Sequence, residues 1–334
     1  MPSGLIFITG ATGFIGSATA LEALKHGYRL RISVRKESQI PKLRTLLSDF
    51  ESAIEFVLVP DITKESAFIG TLDGVNYVLH LASPIPSGTD KESYFAPAVK
   101  GTTSILREAA KTPTVKRVVI TSSIAALIPI KGIPDGGVIK ENNGWDLTVE
   151  DNDSFTGEND EATAINLYHA SKLLANNASW DFQRQVNPTF DLVTIHPAFV
   201  FGHNPMQATP EEIKGTTNGL LFGSIMAGIP MGTITAVHIS DVAEAHIKAL
   251  DEKVPGGSKY LLAGEKSQWK EVAAIVKEKY PTCGAKITEE ITGTSWPVDT
   301  AKAERELGIQ WRSLGEIVKE VMDQQLGLRQ KAKV

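Results

Sequence analysis

The sequence predicts an α/β protein built on a doubly wound parallel sheet, and three observations carry that prediction. A glycine-rich motif, TGATGFIG at residues 9–16, links an apolar run to a helical pattern. Apolar runs then alternate with helix-period segments as far as Ile195, the rhythm of strands joined by crossover helices. The residues that follow these runs are small, polar or basic, as expected where an open parallel sheet binds ligands.

The first run, Leu5 to Ile8, reads as a strand, and Ala18 to Leu24 repeats apolar residues at helical spacing. Between them Gly10 accommodates a tight turn, Gly13 lets a diphosphate approach the main chain, and Gly16 lets helix pack closely on strand. Thr12, Phe14 and Ile15 complete the turn and the helix start, whose amides face an anion. The spacing is GxxGxxG rather than the general GxGxxG of a dinucleotide site.

Further strands are predicted at Leu30 to Val34, Ile54 to Val59, Tyr77 to Leu81, Val115 to Thr121 and Leu192 to Ile195. The second ends at Arg35, with Lys36 and Lys42 nearby, where an NAD site normally carries a carboxylate for the ribose hydroxyl. A guanidinium grips a 2'-phosphate instead, so Arg35 and Lys42 point to NADP(H), while Glu37 keeps NAD open. The third strand ends at Asp61 and Ile62, the fourth at Leu81, Ala82 and Ser83, the fifth at Thr121, Ser122 and Ser123. The stretch from Pro129 to Glu161, rich in Gly, Asn and Asp, is expected to be a long excursion bordering a substrate entrance.

YHASK at 168–172 falls in a helical stretch from about Thr163 to Gln185, so Tyr168 and Lys172 project from one face. A phenol with a pKa of about 10 exchanges protons poorly at neutral pH, and a neighbouring ammonium stabilises its phenolate. Such a pair acts as general acid in carbonyl reduction. Ser123 is placed to donate to the same carbonyl oxygen, although Ser122 is adjacent and either hydroxyl could instead cap a turn.

Composition narrows the class. A chain of 334 residues, 42% hydrophobic, can bury a large core in one or two domains. A net charge of -5 argues against nucleic acid or anionic membrane as partner. No apolar run reaches the roughly 18 residues of a spanning helix, and Met1 to Gly4 leads directly into a strand, so a cytoplasmic protein without signal peptide is expected. Cys283 is the only cysteine, which excludes an intrachain disulfide, and the seven histidines form no ligand motif, so no metal is expected. The sequons at Asn152 and Asn177 are read as chance matches.

Taken together, TGATGFIG, Asp61-Ile62, HLASP at 80–84, TSSIAA at 121–126, YHASK, HPAFVFG at 196–202, HISDVAEAH at 238–246 and DTAKAERELG at 299–308 resemble, in order, the extended short-chain dehydrogenase/reductases. HLASP and the basic end of the second strand resemble the branch holding dihydroflavonol reductases, cinnamoyl-CoA reductases and yeast-type aldehyde and ketone reductases. The resemblance covers nearly the whole chain. It implies that Ser123 orients a carbonyl, that Tyr168 donates the proton, and that Lys172 lowers the Tyr168 pKa and holds the nicotinamide ribose. It also implies that Asp61 and Ile62 meet adenine, that Leu81 to Ser83 line the path to the ribose, and that Pro197 and Val200 border the nicotinamide, with hydride passing from its B face.

The implied fold is a Rossmann domain at 1–200, with 230–252 returning to it, and a smaller interleaved C-terminal substrate domain at 201–229 and 253–330. Within the latter, a turn and strand are read at Lys253 to Lys266, an amphipathic helix at Trp269 to Lys279 and a closing helix at Ser313 to Gln325. Ile85, Phe199, His203, Phe222 and Met226 are candidate pocket residues, and few charges are expected around them. His196 and His203 depart from the family, which often has Asn and Pro there, and Ala98 stands where epimerases commonly carry Asn. The expected activity is NADPH-dependent reduction of an aldehyde or ketone by a monomer or homodimer. The alternatives are an NAD-dependent nucleotide-sugar epimerase or dehydratase, a 3-beta-hydroxysteroid-type dehydrogenase and a non-enzymatic dinucleotide-sensing regulator.

Overall fold

The computed structural model describes residues 4–83, 88–150, 154–230 and 232–332. Its first strand, β1 (Leu5–Thr9), is buried at every position because helices cover both faces of the sheet. Alternation decides which side each residue serves. Ile6 and Ile8 join one apolar cluster, and Leu5 and Phe7 join the other.

The remaining strands of the large sheet are β2 (Arg29–Val34), β3 (Ile54–Leu58), β4 (Tyr77–His80), β5 (Arg117–Thr121) and β6 (Asp191–Pro197). After the short pair β7 (Phe199–Phe201) and β8 (Ala236–His238), β9 (Ser258–Leu262) returns to the far edge. The order is β3-β2-β1-β4-β5-β6-β9, with parallel pairing throughout. Chain order reverses between β1 and β4, so a crevice opens at their carboxyl ends.

On one face lie α1 (Phe14–Lys25) and α6 (Ile239–Lys248), whose Ala20, Ala23, Val242 and Ala245 pack on Ile6, Ile8 and Ile32. On the other lie α3 (Lys91–Ala110) and α4 (Asp160–Val186), with Ile105, Leu106 and Phe182 against Phe7 and Val118. A short α2 (Ile40–Leu46) follows β2. Asn159 caps α4, accepting from the Ala162 amide at 2.9 Å, and Asn187 ends the helix in the left-handed region at φ 45°.

A separate core joins α5 (Thr217–Ala227), α7 (Trp269–Lys279) and α9 (Leu314–Lys331) through Leu221, Ile225, Trp269, Val276 and Val318. Helix α8 (Ala301–Leu307) packs beside β9. Two differences from the sequence reading stand out. Residues 258–262, assigned to the smaller domain, form the seventh strand of the large sheet beside β6. The closing helix runs on to Lys331, started by a reciprocal cap between Ser313 and Glu316. The excursion after β5 is tied down by Ile139, whose amide donates to Pro297 O at 2.9 Å and whose carbonyl accepts from Asp299 N at 2.9 Å.

Candidate active site

The glycine turn lies at the mouth of the crevice. Gly10 adopts φ 78°, and a Cβ there would come within 2.7 Å of the Ala82 amide, so the chain leaving β4 passes directly over the turn. A Cβ on Gly16 would meet Gly10 O at 2.0 Å, which explains the close seating of α1. Gly13 caps α1 without any side-chain bond, and the first turn carries no acid. Those amides remain available to an anion, so the turn, including Thr12, Phe14 and Ile15, fits a dinucleotide diphosphate.

At the end of β2, Gln39 accepts from the amides of Arg35 and Lys36 at 2.9 and 3.2 Å and bends the chain. The Arg35 guanidinium is exposed and has no partner among the described residues. Lys42, expected to share its task, instead meets Glu212 at 3.2 Å. Asp61 accepts from the amide and hydroxyl of Thr63 at 2.9 and 2.7 Å, and these bonds hold its carboxyl below the usual range. The carbonyl of Ile62 receives Ser104 Oγ at 2.7 Å.

The end of β4 connects the turn to the Tyr–Lys pair. Thr9 Oγ1 accepts from the Ala82 amide at 3.1 Å and contacts His80 Nδ1 at 2.9 Å, while Leu81 N donates to Thr9 O at 3.3 Å. The next residue, Ser83, receives Lys172 Nζ at 2.9 Å. From α4 the same ammonium lies 5.4 Å from the centre of the Tyr168 ring, and Tyr168 is 36% exposed. Beneath Lys172 a cavity of about 20 Å³ is lined by His80, Asn176, Thr121 and Ser122. Its size suits one water, and its wall carries three buried polar atoms without protein partners, His80 Nε2 and the two amide atoms of Asn176. Burial, and then the charge of Lys172, holds His80 down to about 4.

Ser123 leads out of β5 with its Oγ accepting from the Ala125 amide at 3.2 Å. The turn-capping reading is therefore met, yet the hydroxyl proton has no acceptor among the described residues and is left to donate. Two buried histidines support this loop. His196 Nδ1 is 3.0 Å from Ser123 O, and His246 Nε2 is 2.6 Å from Thr121 Oγ1. Burial keeps both neutral, at about 3 and about 4.

The expected pocket residues divide. Pro197 ends β6 and is buried. Val200 is a core residue whose carbonyl accepts from Thr217 Oγ1. Phe199 is half-buried between Phe201 and Trp296, with ring centroids at 6.4 and 6.0 Å. Phe222 is packed into the smaller core with Arg329 4.4 Å from its ring centre, and Met226 rests on the same cluster. His203 is exposed, and its amide donates to Glu320 at 2.8 Å. Ile85 and Asn152 lie outside the described residues. Asn177 turns its amide to Leu147 O at 2.9 Å.

Sequence reasoning overlooked His80, His246 and the contact of His238 Nε2 with Glu320 at 3.0 Å, which helps hold Glu320 at about 2. The histidines at 80, 238 and 246 stand in the quoted HLASP and HISDVAEAH segments, the one signal that marked them. Among the described residues no cluster suits a metal ion, and no helix is long and apolar enough to cross a membrane.

The glycine turn, Ser83 and the Tyr–Lys pair thus open on one edge of the sheet through a continuous set of contacts, the arrangement of a dinucleotide-dependent α/β enzyme. The chain belongs to the NAD-dependent epimerase/dehydratase family, whose model matches residues 6–263, and with it to the extended short-chain dehydrogenase/reductases. Ketoreductase sphI of Aspergillus fumigatus is 54% identical over 330 residues, 98% of each chain. Yeast methylglyoxal/isovaleraldehyde reductase Gre2, solved with NADPH, superposes with a TM-score of 0.81 at 25% identity over 98% of this chain and 99% of that one. Gre2 of Candida albicans, also with NADPH, gives 0.82 at 27% identity over 97% and 99%. The fold and the reductase branch expected from the motifs agree with these relatives.

Proposed function

We propose that the protein reduces an aldehyde or ketone to its alcohol with NADPH, Tyr168 giving the proton and Lys172 and Ser123 assisting. The observation that carries this reading is the Lys172 ammonium, anchored by Ser83 at 2.9 Å and facing the Tyr168 ring at 5.4 Å. A fixed positive charge beside that ring is the group that would assist Tyr168 as proton donor. The hydroxyl of Ser123, already accepting from Ala125 N, is oriented to donate to the carbonyl oxygen as negative charge grows on it. Tyr168 then releases its proton to that oxygen.

The chain is an oxidoreductase and uses NADP(H), in agreement with its ketoreductase relative and the NADPH complexes of both Gre2 proteins. The uncapped start of α1 would hold the diphosphate, and Arg35, exposed and without a partner among the described residues, would take the 2'-phosphate. Bound there, the reduced nicotinamide supplies the hydride. The expected substrate is uncharged and partly apolar rather than a sugar nucleotide, with Phe199, a candidate pocket residue, lying against Trp296 at a ring-centroid distance of 6.0 Å.

The test is NADPH oxidation by the purified protein against aldehydes, diketones, beta-ketoesters, flavanonols and steroids. Tyr168→Phe should lower kcat by roughly 100-fold or more while the NADPH Kd stays near native. Near-native turnover by that variant overturns the assignment of Tyr168. Silence across the panel with NAD found tightly bound overturns the reductase reading in favour of an epimerase.

A further inference from the structure

We propose that His196 is a positioning residue for Ser123, a neutral imidazole whose Nδ1–H fixes the serine carbonyl and through it the direction of the serine hydroxyl. The inference rests on the reading of Ser123 as the group that orients the substrate carbonyl.

The ring is fully buried in β6, immediately before Pro197. Nδ1 lies 3.0 Å from the backbone oxygen of Ser123, an atom that can only accept, so Nδ1 must carry the proton. In a neutral imidazole Nε2 is then an acceptor, and Thr194 Oγ1, 2.8 Å away, is its donor. The resulting relay runs from the Thr194 hydroxyl through the ring to the Ser123 carbonyl, with each group in one protonation and one direction.

The position of this bond gives it consequence. The last ladder bond between β5 and β6 is Ser122 N to Ile195 O at 2.7 Å, after which the chain leaves the sheet. Ser123 is thus the first residue the ladder does not hold. Its carbonyl is fixed by two other donors, Ala126 N at 3.0 Å from the following turn and His196 from the sheet. The turn alone would move with the loop, whereas His196 ties the serine to β6, the strand that continues to Pro197. Losing that donor leaves a part-buried carbonyl with the turn's amide alone and the loop free to rotate about the turn.

Two substitutions separate positioning from packing. His196→Asn retains an N–H on the atom bonded to Cγ, where the imidazole bears Nδ1, while His196→Leu fills much of the space and donates nothing. With NADPH and a substrate found by the panel, His196→Leu should lower kcat about tenfold at a near-native NADPH Kd, and His196→Asn should restore most of the loss. In a Ser123→Ala background, His196→Leu should cost little more, because the two residues act as one unit. Equal losses for Leu and Asn, or fully additive losses with Ser123→Ala, overturn the proposal.

A nitrogen-15 spectrum of the wild-type imidazoles provides a readout that does not need turnover or a folded variant. The Nδ1–H tautomer of His196 is expected, and an Nε2–H tautomer or an imidazolium at neutral pH overturns the proposal. A Ser123→Ala enzyme with native kcat overturns both the role of Ser123 and the proposal. It is recognised as a failure of the functional reading when the tautomer is the one expected.

Discussion

Acidification from about pH 7 to about pH 5 should remove a large part of the folding stability, because three histidines are held neutral by burial. His80, His196 and His246 have folded values of about 4, about 3 and about 4, against about 6.5 in an unfolded chain. Between those limits the unfolded state binds more protons than the native state. The contribution of each group is therefore complete above pH 6.5, approximately, and declines as pH falls toward the folded value. At pH 5, about 1.5 units below the unfolded value, each costs about 2 kcal/mol more than at pH 7, roughly 5–6 kcal/mol for the three. Total stabilities run to about 5–15 kcal/mol, so the effect is decisive. His169, also lowered by burial, acts in the same direction. Glu141 and Asp241 act in the opposite direction, since burial raises their folded values and they gain stability as pH falls through them. The lowered carboxylate of Glu320, at about 2, matters only below its unfolded value of about 4.5 and leaves this window untouched. Urea midpoints read by tryptophan fluorescence at the two pH values measure the loss, and proton NMR of the imidazole C2 hydrogens identifies the groups. A total loss below about 2 kcal/mol, or the three resonances titrating near pH 6.5, approximately, would refute the reasoning.

Other outcomes follow from single sites. Arg35→Asp should leave stability within about 0.5 kcal/mol, as the exposed Arg35 has no partner among the described residues, while the kcat/KM ratio of NADPH to NADH falls roughly tenfold to 100-fold; an unchanged ratio means that Arg35 does not read the phosphate. Gly16→Ala forces a Cβ to within 2.0 Å of Gly10 O, and the shift this requires should cost about 3 kcal/mol in urea unfolding together with most NADPH affinity. Lys42→Ala breaks an exposed pair with Glu212 and should change stability by less than about 1 kcal/mol, which thermal denaturation at low and high salt will register.

The large sheet was legible because strands buried on both faces read as unbroken apolar runs, and Leu5 to Ile8 and Tyr77 to Leu81 appear within a residue of their observed limits. Helix α7 was read at Trp269 to Lys279, the limits observed, because its apolar positions repeat at helical spacing. Ser258–Leu262 was legible as a strand but not as part of this sheet, because only its long-range pairing with β6 decides membership. The geometry of the glycine turn and of the Tyr–Lys pair was equally plain, since each is contained within one turn or one helix face.

Where a side chain acts on a distant partner, the sequence is silent about which partner it meets. Lys42 was expected beside a phosphate, yet its neighbour is Glu212, contributed by a turn distant in sequence that local pattern cannot bring to α2. Thr194 and His196 show the same limit more sharply. Their spacing of two puts them on one face of β6, which sets the hydroxyl beside the imidazole at 2.8 Å. What that imidazole faces is decided by register, which sets Ile195 opposite Thr121 and brings His196 to the carbonyl of Ser123. A slip of one residue would turn both side chains to the other face and take the second donor from that carbonyl. The geometry of the serine loop is therefore a property of the β5–β6 pairing as much as of the serine itself.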